Sequence, residues 1–277
     1  MRIVSLLPSA TEIVAALGLG GSLVGRSEEC DWPPEVRDVP VVTAARIDSA
    51  ALGGAEIDAA VRAAVADGRS LYALDADLVE RLAPDVIVTQ DLCAVCAVSS
   101  AEVCDVGARV LSLDPRTIAG IAGSIVELGR ALGRGEQGRE AAAELLERIE
   151  RVRASVAGLP RRRVFVAEWL DPPFASGHWI PEMVAAAGGE DVLGRAGEPS
   201  VPTTWEAVAA QQPELIVLAP CGFDARRARR EAAGLDLPAP AVAVDANAFF
   251  ARPSPRIAEG VEQLGRLLHP EAFATAA

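Results

Sequence analysis

Short apolar runs alternate with longer amphipathic segments along most of the 277 residues of the chain. An apolar run of about four to eight residues bounded by turn residues is typical of a buried strand, whereas apolar residues at spacings of three and four predict a helix. The predicted strands cover residues 3–7, 23–27, 86–89, 109–113, 163–166, 215–218 and 242–245. One predicted helix begins at Ser9, and others cover residues 57–66, 77–82, 118–132, 180–187 and 255–268. Such alternation indicates parallel sheets flanked by helices.

A single segment departs from this alternation. Residues 138–156 have no strand beside them, and their apolar positions, such as Leu145, Ile149 and Val152, recur at helical spacing. We therefore expect an α/β fold of two Rossmann-like lobes with mainly parallel sheets, bridged by one long α-helix. The expected boundaries are residues 1–134 for the first lobe, 135–158 for the linking helix and 159–277 for the second lobe.

A partial internal repeat supports two lobes. Six residues separate Asp77 from Pro84, which precedes a strand, and six residues separate Glu206 from Pro213, which precedes another. In each copy an acidic residue opens a helix, where a carboxylate suits the positive end of the helix dipole. A proline that ends a helix before a buried strand is common in α/β proteins, and this alone explains much of the match.

Two helix starts have the spacing of a capping box. Ser9 with Glu12, and Thr203 with Glu206, each place a hydroxyl residue three positions before a glutamate. In this motif the hydroxyl and the carboxylate satisfy free backbone amides at the helix start. We therefore expect Ser9 and Thr203 to be N-cap residues.

The composition limits the partners and the compartment. Asp and Glu total 39 against 26 Lys and Arg, the formal net charge is −13, and no lysine is present. This acidic balance disfavours binding to nucleic acid. No apolar run approaches the roughly 18 residues of a membrane helix, so we do not expect an integral membrane protein. The apolar run after Arg2 is too short for a signal peptide, and five cysteines are an odd count for a secreted disulfide framework, so we expect a cytoplasmic protein.

Three cysteine sites each lie in the loop that follows a predicted strand: Cys30, the pair Cys93 and Cys96, and Cys221. The carboxyl ends of parallel strands form the crevice where α/β proteins bind ligands. Four thiolates from these loops, with the imidazole of His178, suit zinc or an iron–sulfur cluster. The spacing of Cys93 and Cys96 also suits a redox pair, and free cysteines are often core residues. Metal ligation, thiol chemistry and simple burial therefore all remain open.

Aromatic and polar residues concentrate at 168–179, directly after the strand at 163–166. Aromatic rings in a loop with Gly and Pro form rigid walls for a planar ligand. The candidate ligand contacts in the second half are Trp169, His178, Trp179, Cys221, Phe249, Phe250 and Arg252. Those in the first half lie in turns after predicted strands: Pro8, Ser9, Glu29, Cys30, Asp91, Cys93 and Cys96.

The common catalytic motifs are absent. The sequence has no Gly-x-Gly-x-x-Gly, P-loop, nucleophile elbow or His-Glu-x-x-His. Classical nucleotide-dependent enzymes and hydrolases therefore lack support, and we assign no catalytic residue.

Six segments together resemble a known family: residues 2–12, 31–34, 171–174, 176–177, 188–190 and 254–256. In this order, and over nearly the whole chain, they are similar to the helical-backbone substrate-binding proteins of iron-siderophore and vitamin B12 uptake by ABC transporters, nearest to the cobalamin-binding members. The resemblance implies two α/β lobes bridged by a rigid helix, with a ligand held between them. It also implies that Asp77 and Glu206 dock onto arginines of a membrane permease.

The leading hypothesis is a non-catalytic binding protein for a corrinoid (cobalamin-like) or similar metal chelate, with Trp169, Trp179, Phe249 and Phe250 as walls. The cysteines and His178 are not general features of the uptake proteins, and they keep two alternatives open. One is a cytoplasmic metal or iron–sulfur protein that uses them as ligands, and the other is a thiol-dependent enzyme on the same scaffold. A fold of this kind does not by itself fix the function.

Overall fold

A computed structural model describes residues 1–91, 98 and 107–274, which form two compact units. Unit 1 consists of Met1–Pro115 and Gly123–Ala142, and unit 2 consists of Arg116–Ala122 and Ala143–Ala277. Among the described residues, no helix is long and apolar enough to cross a membrane.

Unit 1 is built on a parallel sheet. Its strands are β1 Ile3–Ser5, β2 Leu23–Arg26, β3 Thr43–Ala45, β4 Tyr72–Leu74, β5 Val86–Thr89 and β6 Arg109–Ser112. Its first helices are α1 Pro8–Ala16, α2 Gly54–Ala66 and α3 Ala76–Leu82, with short 3-10 helices at Gly20–Ser22 and Pro34–Asp38. The parallel sheet has the order β2-β1-β5-β6, and β3 pairs with β4 in a separate antiparallel sheet. Residues 86–89 are all buried, which fits a strand covered on both faces.

Two helices contain residues of both units: α4 Ile118–Ala131 and α5 Gly135–Ser155. The spacing that predicts one long helix at 138–156 is the spacing of the buried face of α5, which includes Leu145, Ile149 and Val152.

Unit 2 holds the second sheet. Its strands are β7 Arg162–Leu170, β8 Pro173–Ala175, β9 Gly189–Asp191, β10 Val201–Pro202, β11 Leu215–Leu218 and β12 Ala241–Ala243. Its helices are α6 Ile180–Ala186, α7 Trp205–Ala210, α8 Ala225–Ala232, α9 Ala246–Phe249, α10 Ile257–Leu268 and α11 Pro270–Phe273. The sheet order is β10-β8-β7-β11-β12, with β9 also paired to β7. β9, β7, β11 and β12 pair in parallel, whereas β8 pairs antiparallel with both β7 and β10.

These elements confirm the predicted fold class of two α/β lobes with mainly parallel sheets and a long helix. β7 is longer than the predicted strand at 163–166, because its last residues pair with β8 instead of with β11. The sequence did not predict β8, β10 or α9, which are only two to four residues long.

Both predicted capping boxes are wrong by one residue or more. α1 begins at Pro8, its N-cap is Leu7, and Ser9 is buried inside its first turn. The N-cap of α7 is Thr204, whose hydroxyl accepts the N–H of Ala207 at 3.2 Å. The proline at the start of α1 explains the first error, since a proline at this position has the helical φ and needs no amide partner.

Candidate functional site

The predicted site residues of unit 1 lie after β1 and β2. Pro8 is half-buried and Ser9 is buried at the start of α1. Cys30, which follows β2, is only 1% exposed. The hydroxyl of Thr11 lies 3.0 Å from the Cys30 sulfur and 2.8 Å from the hydroxyl of Ser5. Cys30 thus contacts the Thr11 hydroxyl in the core of this unit.

Arg26 holds the loop that carries Cys30. Its guanidinium donates to the carbonyl oxygens of Ser27 and Cys30, each at 3.1 Å. Glu29 is exposed and Glu28 is half-buried, and burial, followed by the charge of Glu29, raises the pKa of Glu28. The loop therefore presents a carboxylate to solvent while its thiol points into the core.

Asp91 is exposed after β5 and belongs to a pair of carboxylates. Its N–H donates to Asp114 Oδ1 at 2.6 Å. The Ser112 hydroxyl lies 2.9 Å from Asp91 Oδ2 and 2.8 Å from Asp114 Oδ2, so it ties the two side chains together. Cys93 and Cys96 lie outside the described residues.

In unit 2 three side chains form a stack at the end of β7. The rings of Trp169 and Phe223 are 5.2 Å apart with an interplanar angle of 53°. Arg227 Cζ lies 3.9 Å from the centroid of the Phe223 ring, which is a cation–π distance. We call Trp169, Phe223 and Arg227 the aromatic stack. Trp169 is half-buried, so the stack is partly open to solvent.

Glu168 connects the aromatic stack to two neighbouring loops. Its carbonyl oxygen accepts the N–H of Cys221 at 3.1 Å, and its side-chain Oε1 accepts the N–H of Gly177 at 2.8 Å. Cys221 is exposed. Glu168 therefore joins the loops that carry Cys221 and His178 to the end of β7, next to Trp169.

Asp191 anchors the loop before α6. Its Oδ2 accepts the Ser176 hydroxyl at 2.5 Å, and its Oδ1 accepts the N–H of Gly194 at 3.0 Å. A Cβ atom at Gly194 would lie 2.5 Å from the Asp191 carboxyl carbon, so only glycine fits there. Burial raises the pKa of Asp191 to about 6, against the opposing effect of these hydrogen bonds.

His178 follows in the same loop and has a left-handed backbone with φ of 49°. Its ring is half-buried and lies 5.7 Å from the ring of Trp179. Burial, followed by the charge of Arg116, lowers the pKa of His178. The imidazole is therefore neutral at pH 7.

The other predicted aromatic residues differ in exposure. Trp179 is 5% exposed, Phe250 is 1% exposed, and the Trp179 indole N–H donates to the Phe250 carbonyl oxygen at 2.8 Å. Both rings are core residues in this structure. Phe249 is half-buried under the guanidinium of Arg256, whose Cζ lies 4.8 Å from its ring centroid, and Arg252 is buried.

The described residues give no support for a metal centre made of protein side chains. Among them, no group of three or more His, Cys, Asp or Glu residues could hold a metal ion. Neither zinc nor an iron–sulfur cluster is thus supported for Cys30, Cys221 and His178.

Sequence reasoning missed three residues of this site: Asp191, Phe223 and Arg227. Phe223 follows Gly222 in the loop after β11. A large apolar ring in a short loop is a signal that could have found it, because such a ring usually packs against a neighbour. Asp191 gave no local signal, since its partner Ser176 lies on another loop.

The two-unit fold has known relatives. A model of the periplasmic binding protein family matches residues 3–236. The chain belongs to the periplasmic binding protein family. This confirms the resemblance to the substrate-binding proteins of B12 and siderophore uptake. This chain is therefore a substrate-binding protein of the ABC-transporter type.

Individual relatives match nearly the whole of this chain. It is 25% identical over 270 residues to the vitamin B12-binding protein of Salmonella typhimurium, covering 95% of this chain and 88% of that one. It is 26% identical over 273 residues to the vitamin B12-binding protein of Yersinia pestis, covering 95% and 84%.

Solved structures share the fold of this periplasmic binding protein. The periplasmic vitamin B12-binding protein of Vibrio cholerae matches with a TM-score of 0.69 and 24% identity, covering 99% of this chain and 98% of that one. A periplasmic heme-binding protein of Pseudomonas aeruginosa matches with a TM-score of 0.72 and 20% identity, covering 97% and 92%.

The expected cytoplasmic location is wrong. The family and these solved relatives are periplasmic, which points to a periplasmic location for this binding protein. The expectation rested on the first few residues and on the cysteine count, neither of which reports on the fold that the family shares.

Proposed function

We propose that this periplasmic binding protein binds a corrinoid, or a similar planar metal chelate, without catalysing a reaction. The main support is the likeness to vitamin B12-binding proteins over 95% of the chain. A heme-binding protein is among the structural relatives, and it shows that the same fold also carries another planar tetrapyrrole.

The aromatic stack of unit 2 supports a planar ligand. Trp169 is half-buried, and its ring is held in place by Phe223, which is in turn covered by the guanidinium of Arg227. A ring that is held by such contacts loses little freedom when a flat ligand packs against its exposed part. The stack therefore supplies a rigid apolar wall that ends at the Arg227 guanidinium, which is itself paired with Glu231 at 3.7 Å.

Cobalamin binding by purified protein tests the proposal. We expect cyanocobalamin to bind in calorimetry and to raise the melting temperature, because a ligand that binds only the folded state stabilises it. No heat of binding and an unchanged melting temperature with cyanocobalamin, aquocobalamin and hemin would contradict it.

Trp169→Ala should weaken cyanocobalamin binding about tenfold or more, because it removes about 1.4 kcal/mol of ring contact. Trp205→Phe is the matched control, since Trp205 packs edge-on against Phe165 at 5.9 Å and is not in the stack. Equal affinities of the two variants would exclude Trp169 as a ligand wall.

We also propose that Asp77 and Glu206 dock onto the permease of the transporter. Both are exposed in the first turn of a helix, α3 and α7 respectively. The N-caps of these helices are other residues, Asp75 and Thr204. Two exposed carboxylates at the starts of helices that correspond in the internal repeat fit a docking role.

A further inference from the structure

His178 is kept in a backbone conformation that favours glycine. Its φ is 49°, its N–H donates to the Glu198 carbonyl at 2.6 Å, and its carbonyl accepts the N–H of Gly197 at 2.8 Å. A left-handed backbone costs a non-glycine residue about 1 kcal/mol or more. Strain that is maintained by surrounding hydrogen bonds is concentrated at functional positions.

The loop before His178 is also fixed. Ser176 is held by Asp191, and the N–H of Gly177 by Glu168. A Cβ atom at Gly177 would lie 2.4 Å from the Ser200 nitrogen, so the two loops are in close contact. The backbone that carries the His178 side chain is therefore fixed.

The ring nitrogens of His178 are available. Within the part of the chain that the structure describes, the imidazole makes no hydrogen bond and no ion pair, and its one ring contact is with Trp179. Trp179 is itself fixed by its hydrogen bond to Phe250. Burial and Arg116 keep the imidazole neutral, which is the form that binds metal.

We propose that a ring nitrogen of His178 coordinates the metal of the bound chelate at its open axial position. This inference rests on the proposed function. In the step, the bond from the metal to an axial water oxygen breaks and a bond from the metal to the imidazole nitrogen forms. The water leaves intact, and the neutral imidazole keeps the proton on its other nitrogen, so no proton is released.

Axial coordination gives the protein a preference among chelates of the same shape. Cobalamin with an exchangeable axial water accepts the imidazole, whereas cobalamin with axial cyanide holds its ligand more firmly. The iron of hemin also has an open axial position. Comparing its binding with that of aquocobalamin shows whether the protein prefers an iron or a cobalt chelate. We expect the wild-type protein to bind aquocobalamin at least tenfold more tightly than cyanocobalamin.

The test compares visible absorption spectra of aquocobalamin, cyanocobalamin and hemin bound to wild-type protein, to H178G and to Q212G. Glycine accepts the left-handed backbone at position 178, so the variant retains the loop conformation. Q212G is the matched control, because Gln212 also has a positive φ, of 51°, and lies after α7. H178N is a second variant, since asparagine tolerates this backbone and lacks the imidazole.

We expect the wild type and Q212G to shift the bands of aquocobalamin or hemin to those of an imidazole complex, and H178G and H178N to bind without that shift. Cyanocobalamin should bind all four proteins equally, which shows that the variants are folded. The same shift in H178G, or binding to the wild type without a shift, would overturn the inference and leave the proposed function standing. Absence of binding of all three chelates to the wild type would overturn both.

Discussion

At the scale of single residues, the site depends on groups whose properties come from distant partners. Trp169 and His178 are conspicuous in the sequence because rings and imidazoles are rare in this chain. The partners that fix them, Phe223 for the Trp169 ring and Glu198 for the His178 backbone, lie farther along the chain. Residue type therefore predicted the candidates, whereas their packing required the structure.

Asp191 should make the stability depend on pH. Its pKa in the folded state is about 6, above the unfolded value of 3.8, so the folded protein binds this proton more readily. The cost of keeping the carboxylate charged, roughly 3 kcal/mol, is fully present above pH 6 and is relieved as the pH falls towards 3.8.

The measurement is the free energy of unfolding of wild type and D191N at pH 7 and pH 5. We expect the wild type to gain stability relative to D191N on acidification, because the amide does not titrate. A difference between the two proteins that is the same at both pH values would show that Asp191 keeps its ordinary pKa. The comparison with D191N removes the effect of all other carboxylates.

At the scale of elements, the central strands and long helices were predictable, because their apolar residues recur over many positions. β5 and β11 are runs of adjacent apolar residues, and α5 shows its helical spacing over 21 residues. β8 and β10 could not be predicted, since strands of three and two residues carry no period and form by pairing with β7 and with each other.

Arg148 joins α5 to α10. Its Nη1 lies 3.1 Å from Glu259 Oε1 and its Nε lies 3.0 Å from Glu262 Oε1, and all three side chains are partly buried. The hydrogen bond that Arg148 donates to Glu262 is the largest effect on its pKa and raises it, against the opposing effect of burial. One guanidinium thus holds two carboxylates that would otherwise repel each other.

R148A should destabilise the protein by about 1–2 kcal/mol, because two partly buried carboxylates lose their common partner. R151A, which changes an exposed arginine on the same helix, should change the stability by less than about 0.5 kcal/mol. Chemical denaturation measures both values. If the two variants are equally stable, the ion pairs of Arg148 with Glu259 and Glu262 do not contribute to the free energy of unfolding.

At the scale of the whole molecule, the family relationship was predictable from six short segments in the right order, whereas the compartment was not. The net charge of −13 disfavours nucleic acid as a partner on general grounds, but a charge balance does not name a cell compartment. The family decides both the fold and the role in transport.

D77R and E206R should each reduce uptake by proteoliposomes that contain the cognate ABC permease at least tenfold, while ligand affinity stays the same. A charge reversal at a docking contact places like charges together, which costs several kcal/mol. Hydrogen bonds from its own amide and from the Thr204 hydroxyl lower the pKa of Glu206, so it is charged at working pH. E80R is the control on α3, since Glu80 is also exposed. Normal uptake with both reversals would place the docking surface elsewhere.

The burial of Trp179 has an optical consequence. Its indole is enclosed and donates its N–H to Phe250, so its fluorescence is insulated from solvent and ligand contact, whereas Trp169 is partly exposed in the aromatic stack. The two tryptophans therefore emit from different surroundings in the same unit. Trp32 is 44% exposed and also emits from polar surroundings. The part of the emission that W169F removes in a W32F background would therefore report occupancy of the stack without any label.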